Sequence, residues 1–173
     1  MDTYLEFLVK QKYTLSKVLM IAGLFLLAGI LSFLSFFVAV RNPVVMQLIC
    51  LIWALFFYGA WWLSQKLCVE YEYIVTNDEL DVDRIIAKKT RKRLLTVSVK
   101  KFEEFGCANK EKIAELKNRN FKVILDASSG SCDDMPYYAV FDNKQGESML
   151  LIFNPTDRML NSFKIFNPRV VNI

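Results

Sequence analysis

Eight basic residues and no acidic one fall between Arg84 and Lys101, densest in Lys88-Lys89-Thr90-Arg91-Lys92-Arg93. Clustered Lys and Arg attract polyanions, either an anionic lipid surface, at about 1 kcal/mol per residue near the headgroups, or a nucleic-acid backbone. Nucleic acid is the poorer fit. From Leu67 onward seventeen Lys or Arg nearly balance sixteen Asp or Glu, and no aromatic ladder interleaves the basic run. Lys88, Lys89, Arg91, Lys92 and Arg93 are therefore the candidate contacts for anionic lipid or a protein partner. The plain alternative is a solvated hairpin loop whose charges keep a sheet edge from pairing with other chains.

Catalysis has little to work with. The chain has no histidine, which removes the commonest general base and metal ligand. Asp81 and Asp83 share one face of a strand, where such pairs are usually solvated. Asp133-Asp134 follows Ser129-Gly130-Ser131-Cys132 in a loop, and no Gly-rich phosphate-binding motif occurs. Cys50, Cys68, Cys107 and Cys132 form no C-x-x-C pair, so neither a disulfide nor a thiolate metal site is indicated. The expectation is a non-enzymatic protein with no cofactor, metal or catalytic residue.

What must position the basic cluster is set by two apolar runs, Val18 to Val40 and Val44 to Leu63, separated only by Arg41-Asn42-Pro43. Neither holds a charged side chain, and each as a helix is long enough to cross a hydrocarbon core of roughly 30 Å. So short a connection implies an antiparallel hairpin, with Pro43 opening the second helix where its missing N–H costs nothing. The first run is longer than the apolar region of a signal peptide, and a second run follows at once. Lys10, Lys12, Lys17 and Lys66 flank the hairpin's open end against Arg41 alone in its loop, which places both termini in the cytoplasm. The scattered cysteines agree with that reducing compartment. Tyr58, Trp61 and Trp62 stand at the exit of the second span as interface anchors. No ionisable residue lies in either span, which argues against a transport path. The expected division is 1–66 for a tail and hairpin and 67–173 for one soluble domain.

Ala28, Ser32, Ser35 and Ala39 recur at spacings of four, three and four, forming a small-residue face on the first span. Small residues allow close helix approach in lipid. The chain's own second helix, through Ala54 or Gly59 and Ala60, is one partner for this face, and a second copy of the chain is the other. Tyr4-Leu5-Glu6-Phe7-Leu8-Val9-Lys10 reads as a short interfacial helix or a frayed tail.

Beyond the hairpin, alternation predicts strands. Val69, Tyr71, Tyr73 and Val75 alternate with Glu70, Glu72 and Ile74, and Asn77-Asp78 is turn chemistry. Leu80 to Ile86 returns, Leu95 to Val99 makes a third strand, and Phe121 to Leu125, Tyr137 to Phe141 and Met149 to Phe153 make three more. A short helix fits Asn109 to Leu116. Asn154 as cap, Pro155 at the first position and Asp157 in the first turn predict a C-terminal helix with an apolar stripe of Met159, Leu160, Phe163 and Phe166. Strands followed by one amphipathic helix read as an α+β domain. The first strand leaves the membrane, its turn lies about 30 Å away, and the second strand delivers the basic loop back toward the headgroups.

The stretch Tyr71-Glu72-Tyr73-Ile74-Val75-Thr76-Asn77-Asp78-Glu79-Leu80-Asp81-Val82-Asp83-Arg84-Ile85-Ile86, with Lys92-Arg93-Leu94 following, resembles bacterial pleckstrin-homology-like domains. The whole layout is similar to a family of small two-span bacterial membrane proteins known only as a domain of unknown function. The resemblance implies a PH-like curved antiparallel sheet or barrel of six or seven strands capped by a C-terminal helix. It carries over no activity and no site residues. In lipid-binding PH domains the headgroup sits over the first hairpin turn, which is acidic here, so surface contact fits better than a headgroup pocket. The expected function is a membrane-anchored module at the inner leaflet that binds a protein partner, an anionic lipid surface or both. The alternative is a structural subunit of a larger or homo-oligomeric membrane complex assembled through its hairpin.

Overall fold

The computed structural model describes residues 4–130, 134–143 and 145–172. The chain divides into two compact units, one spanning Tyr13–Cys68 and the other combining residues up to Lys12 with those from Val69 onward. The first holds α1 (Leu15–Arg41) and α2 (Pro43–Gln65), which enclose the two expected apolar runs. Asn42 caps α2 by accepting from Val44 N at 3.1 Å, and Pro43 takes the first position as expected. At about 1.5 Å per residue, helices of 27 and 23 residues are about 40 and 35 Å long, enough to cross a membrane. Their apolar side chains are mostly exposed. A buried core helix of a soluble protein would show the reverse.

The second unit is α+β and PH-like, with two four-stranded sheets. One runs β1 (Tyr4–Lys10), β2 (Val69–Thr76), β3 (Glu79–Ile86) and β4 (Thr90–Ser98) in that order, all antiparallel. In the other, β5 (Phe102–Cys107), β7 (Tyr137–Asp142) and β8 (Ser148–Phe153) pair antiparallel, and β6 (Val123–Asp126) lies parallel against β8 at the edge. α3 (Lys110–Lys117) precedes β6, and α4 (Asp157–Phe166) ends the domain. The core is continuous between the sheets and α4. Tyr73, fully buried on β2, donates to Ala127 O at 2.6 Å, accepts from Asn154 N at 3.3 Å and meets Phe153 edge-on at 5.6 Å. Burial pushes its phenol pKa far up, so the hydroxyl stays a donor.

Three expectations are corrected. Tyr4–Lys10 is a strand, neither an interfacial helix nor a frayed tail, because Leu5, Phe7 and Val9 alternate and pair in register with Val75, Tyr73 and Tyr71. The second unit thus takes in a segment from before the hairpin. The strand count is eight rather than six or seven, β1 and β5 being the additions; a 3-10 turn over Val99–Lys101 ends β4 and starts β5. The cap of α4 is Thr156, whose hydroxyl accepts from Met159 N at 3.4 Å, while Asn154 uses its side chain to accept from Ser129 N at 2.8 Å. A tertiary bond outcompetes the local cap.

Candidate functional site

The antiparallel registers place Glu72, Asp83 and Arg93 side by side on one face of the first sheet, with Glu70, Ile85 and Arg91 in the next row. Strand side chains alternate faces, so the acidic residues of β2 and β3 and the arginines of β4 meet. Arg91 Nη2 lies 2.8 Å from the Glu72 carboxylate. Arg93 bridges two carboxylates, donating from Nε to Asp83 Oδ1 at 3.1 Å and placing Nη2 3.1 Å from Asp81 Oδ2. Glu72 and Asp83 are each only 2 % exposed beneath these guanidinium groups. Burial raises the Glu72 pKa above its ordinary value; the Arg91 charge opposes this, and the nearby Glu6 and Asp83 carboxylates reinforce it. The hydrogen bond to Asp83, followed by the Asp81 and Asp83 charges, raises that of Arg93.

The five-residue basic cluster is therefore split. Arg91 and Arg93 reach from β4 over the acidic face, while Lys88, Lys89 and Lys92 remain exposed. Lys88 sits at the tip of the β3–β4 connection, where Ala87 and Lys88 have φ of 53° and 57° and Lys89 N donates to Ile86 O at 3.1 Å. Two successive left-handed residues make a type I′ hairpin turn, here built without glycine or asparagine. Ile86 stands opposite Val69, and Lys10 opposite Glu70, so this turn lies at the end of the sheet where the chain leaves toward α1 and returns from α2. Lys10, also exposed, joins the lysines at that end.

Within the hairpin, Ala28, Ser32 and Ala39 are buried, and Ser35 accepts from Trp53 Nε1 of α2 at 3.0 Å. The small-residue face thus packs on the chain's own second helix, with Ala60 and Ser64 of α2 also buried. Tyr58, Trp61 and Trp62 are about half exposed, and Lys66 Nζ lies 3.7 Å from the Trp62 ring centre. Such a cation over an aromatic face suits an interface belt.

Among the described residues weighed for catalysis, Asp81 and Asp134 have partners of their own. Asp81 accepts from Thr96 Oγ1 at 2.5 Å besides its pairing with Arg93. Asp134 accepts from Ser129 Oγ at 3.4 Å, and Cys132 and Asp133 lie outside the described residues. A cavity of about 580 Å³ runs beside β1 and the start of α4, lined by Phe7, Val9, Tyr137, Asn154 and Leu160. Among the described residues no three His, Cys, Asp or Glu side chains converge to hold a metal.

The shared face of Asp81 and Asp83 was legible in the sequence, but their pairing with Arg93, and that of Glu72 with Arg91, was missed. Its signal was present: Glu70 and Glu72, Asp81 and Asp83, and Arg91 and Arg93 all recur at the strand period. No curated protein and no solved structure matches the chain. A family model described as a bacterial PH-like domain, DUF6106, matches residues 1–173, the hairpin included. The chain belongs to this bacterial PH-like domain family of unknown function.

Proposed function

We propose that the protein is a non-enzymatic, membrane-anchored PH-like module whose hairpin spans the plasma membrane twice, with both termini in the cytoplasm. One observation carries this reading. β1 precedes the hairpin and β2 follows it, yet the two are hydrogen-bonded neighbours over seven paired positions. Two strands of one sheet must lie on one side of a bilayer, so the hairpin between them crosses an even number of times. The flanking lysines favour the cytoplasmic side for that sheet. The sheet end bearing Lys10, Lys88 and Lys89, with Lys92 nearby, then faces the anionic headgroups, and the remaining surface is free for a protein partner. Assembly through the Ala28/Ser32/Ser35/Ala39 face has less support, because α2 occupies it.

The test uses the full chain reconstituted into vesicles with a single labelled cysteine at Lys89. A water-soluble quencher is expected to reach the label less readily in vesicles containing phosphatidylglycerol than in pure phosphatidylcholine, and the difference should shrink in high salt. Equal accessibility in both would remove the lipid-surface reading. For orientation, a cysteine at Lys117 should react with an impermeant maleimide only after spheroplasts are lysed.

A further inference from the structure

We propose that the open edge of β1 takes up an extended segment of a protein partner as an added antiparallel strand, lodged between β1 and the start of α4; this rests on the reading of a partner-binding module and names the surface it uses. The backbone of β1 is set for such an addition. Gln11 N donates to Val69 O at 3.2 Å, one step beyond the Lys10–Glu70 pairing. Opposed residues in an antiparallel ladder alternate between bonded and unbonded pairs. Leu5, Phe7 and Val9 therefore bond to β2, while Tyr4, Glu6, Leu8 and Lys10 turn their N–H and C=O groups to the open edge. Among the described residues no backbone hydrogen bond meets β1 from that side. The other edge of the same sheet is defended. β4 carries Arg91, Lys92 and Arg93, and a bulge at Val82/Asp83 shifts its register with β3. Charge and bulges keep an edge from pairing with foreign strands. β1 has neither bulge nor proline, and it exposes Tyr4, Phe7 and Leu8.

The space beside β1 defines the chemistry of the occupant. The cavity of about 580 Å³ borders Phe7 to Lys10, and a second of about 370 Å³, lined by Leu5, Phe7, Asp157, Arg158 and Met159, continues it toward the start of the strand. Phe7 lines both, so the two form one trough along β1. Side chains of an added strand alternate between faces as those of β1 do. Those opposite Phe7 and Val9 enter the trough, where Tyr137 and Leu160 make an apolar wall. Those opposite Glu6, Leu8 and Lys10 lie on the other face, where charge decides. Glu6 accepts from Tyr4 Oη at 2.8 Å, which leaves its charge in place. It stands close enough to Glu72 to raise that carboxyl's pKa, with Arg91 and Asp83 the other charges there. A basic residue opposite Glu6 relieves this crowding, an acidic one suits Lys10, and an apolar one covers Leu8. Running antiparallel to β1, the segment therefore carries an acidic residue, three apolar ones and a basic one.

The full-length protein in detergent micelles is titrated against fluorescein-labelled Ser-Glu-Phe-Leu-Val-Lys-Ser, whose central residues stand opposite Lys10 through Glu6. Fluorescence anisotropy should show saturable binding. Ser-Lys-Phe-Leu-Val-Glu-Ser, with the charges exchanged, should bind about tenfold more weakly, because two attractive cross-strand pairs become repulsive. With proline for the central leucine, binding should vanish, since that residue's N–H must donate to Leu8. Amide exchange in the complex should show new protection at Glu6, Leu8 and Lys10, while Phe7 and Val9 stay as they were. The variant Glu6→Lys with Lys10→Glu should prefer the exchanged peptide, a gain that no misfolded protein produces. Absent or unsaturable binding, equal binding of all three peptides, or protection that appears elsewhere overturns the strand addition. So does protection of Glu6, Leu8 and Lys10 before any peptide is added, because a second copy of the chain would then already fill the edge. Micelles have no sides, so failure here leaves the membrane placement to the Lys89 quencher experiment, which reads it separately.

Discussion

Lys10 and Glu70 stand opposite each other on neighbouring antiparallel strands, although the whole apolar hairpin lies between them in sequence. The hairpin is thus an insertion into a sheet rather than an anchor placed before a domain. That arrangement defines the minimal folded unit. Joining Gln11 to Val69 through Asn-Gly replaces the hairpin with a two-residue turn of the type antiparallel strands favour. The product is expected to be soluble and to melt cooperatively. A fragment beginning at Val69 lacks Leu5, Val9 and one whole strand of pairing. It should be less stable by about 3 kcal/mol, the scale of two apolar side chains returned to water. Urea midpoints of the two proteins check this.

The ion pairs on the first sheet make a second prediction. Arg91→Ala leaves the Glu72 carboxylate buried without its cation. Because the arginine side chain is itself 56 % exposed, the cost should be modest, about 1–2 kcal/mol near neutral pH. The pH dependence has a definite sign. Burial already raises the Glu72 pKa, and loss of Arg91 removes the charge that lowers it. A raised folded-state carboxyl favours folding below the unfolded pKa and loses that contribution as pH climbs through the folded value. The variant's deficit should therefore grow as pH rises above the ordinary glutamate value of 4.5 and nearly vanish below it. Arg91→Ala combined with Glu72→Gln should recover most of the loss. Denaturant titrations from about pH 4 to pH 7 would reveal the trend.

The β3–β4 turn stores strain that can be relieved. Ala87 and Lys88 both hold positive φ, which costs an ordinary L-residue about 1 kcal/mol each. Ala87→Asn with Lys88→Gly supplies the residues a type I′ turn prefers. The expected result is a stabilisation of about 1–2 kcal/mol, seen as a higher melting temperature. No gain would mean that the connection adopts another turn.

How far these relationships could be read in the chain depends on whether their cause is local. The hairpin was legible because charge-free length is a property of consecutive residues, and Asn42-Pro43 marks the start of its second helix. β2 and β3 were legible from alternation around Asn77-Asp78. β1 was not, because its partner strand lies beyond the hairpin and seven residues of alternation suit a tail equally well. Arg91 and Arg93 looked like free charge for the same reason. Their carboxylates are set opposite them by strand register, and a bulge between Val82 and Asp83 shifts that register. Thr156 rather than Asn154 caps α4 because the Asn154 side chain is spent on Ser129, a contact far away in sequence.

The split of the basic cluster yields the last prediction. Lys88→Gln, Lys89→Gln and Lys92→Gln together remove three exposed charges and break none of the ion pairs of the acidic face. Attraction of about 1 kcal/mol per lysine near an anionic surface makes this a large change in lipid contact. The triple variant should therefore lose the difference in quencher accessibility between anionic and zwitterionic vesicles while melting like the wild type. Arg91→Gln with Arg93→Gln should do the opposite, lowering the melting temperature because Glu72 and Asp83 are left covered and unpaired, with little effect on lipid contact. If both variants lose lipid contact equally, the arginines leave the carboxylates to meet the bilayer, and the division of labour within the cluster is wrong.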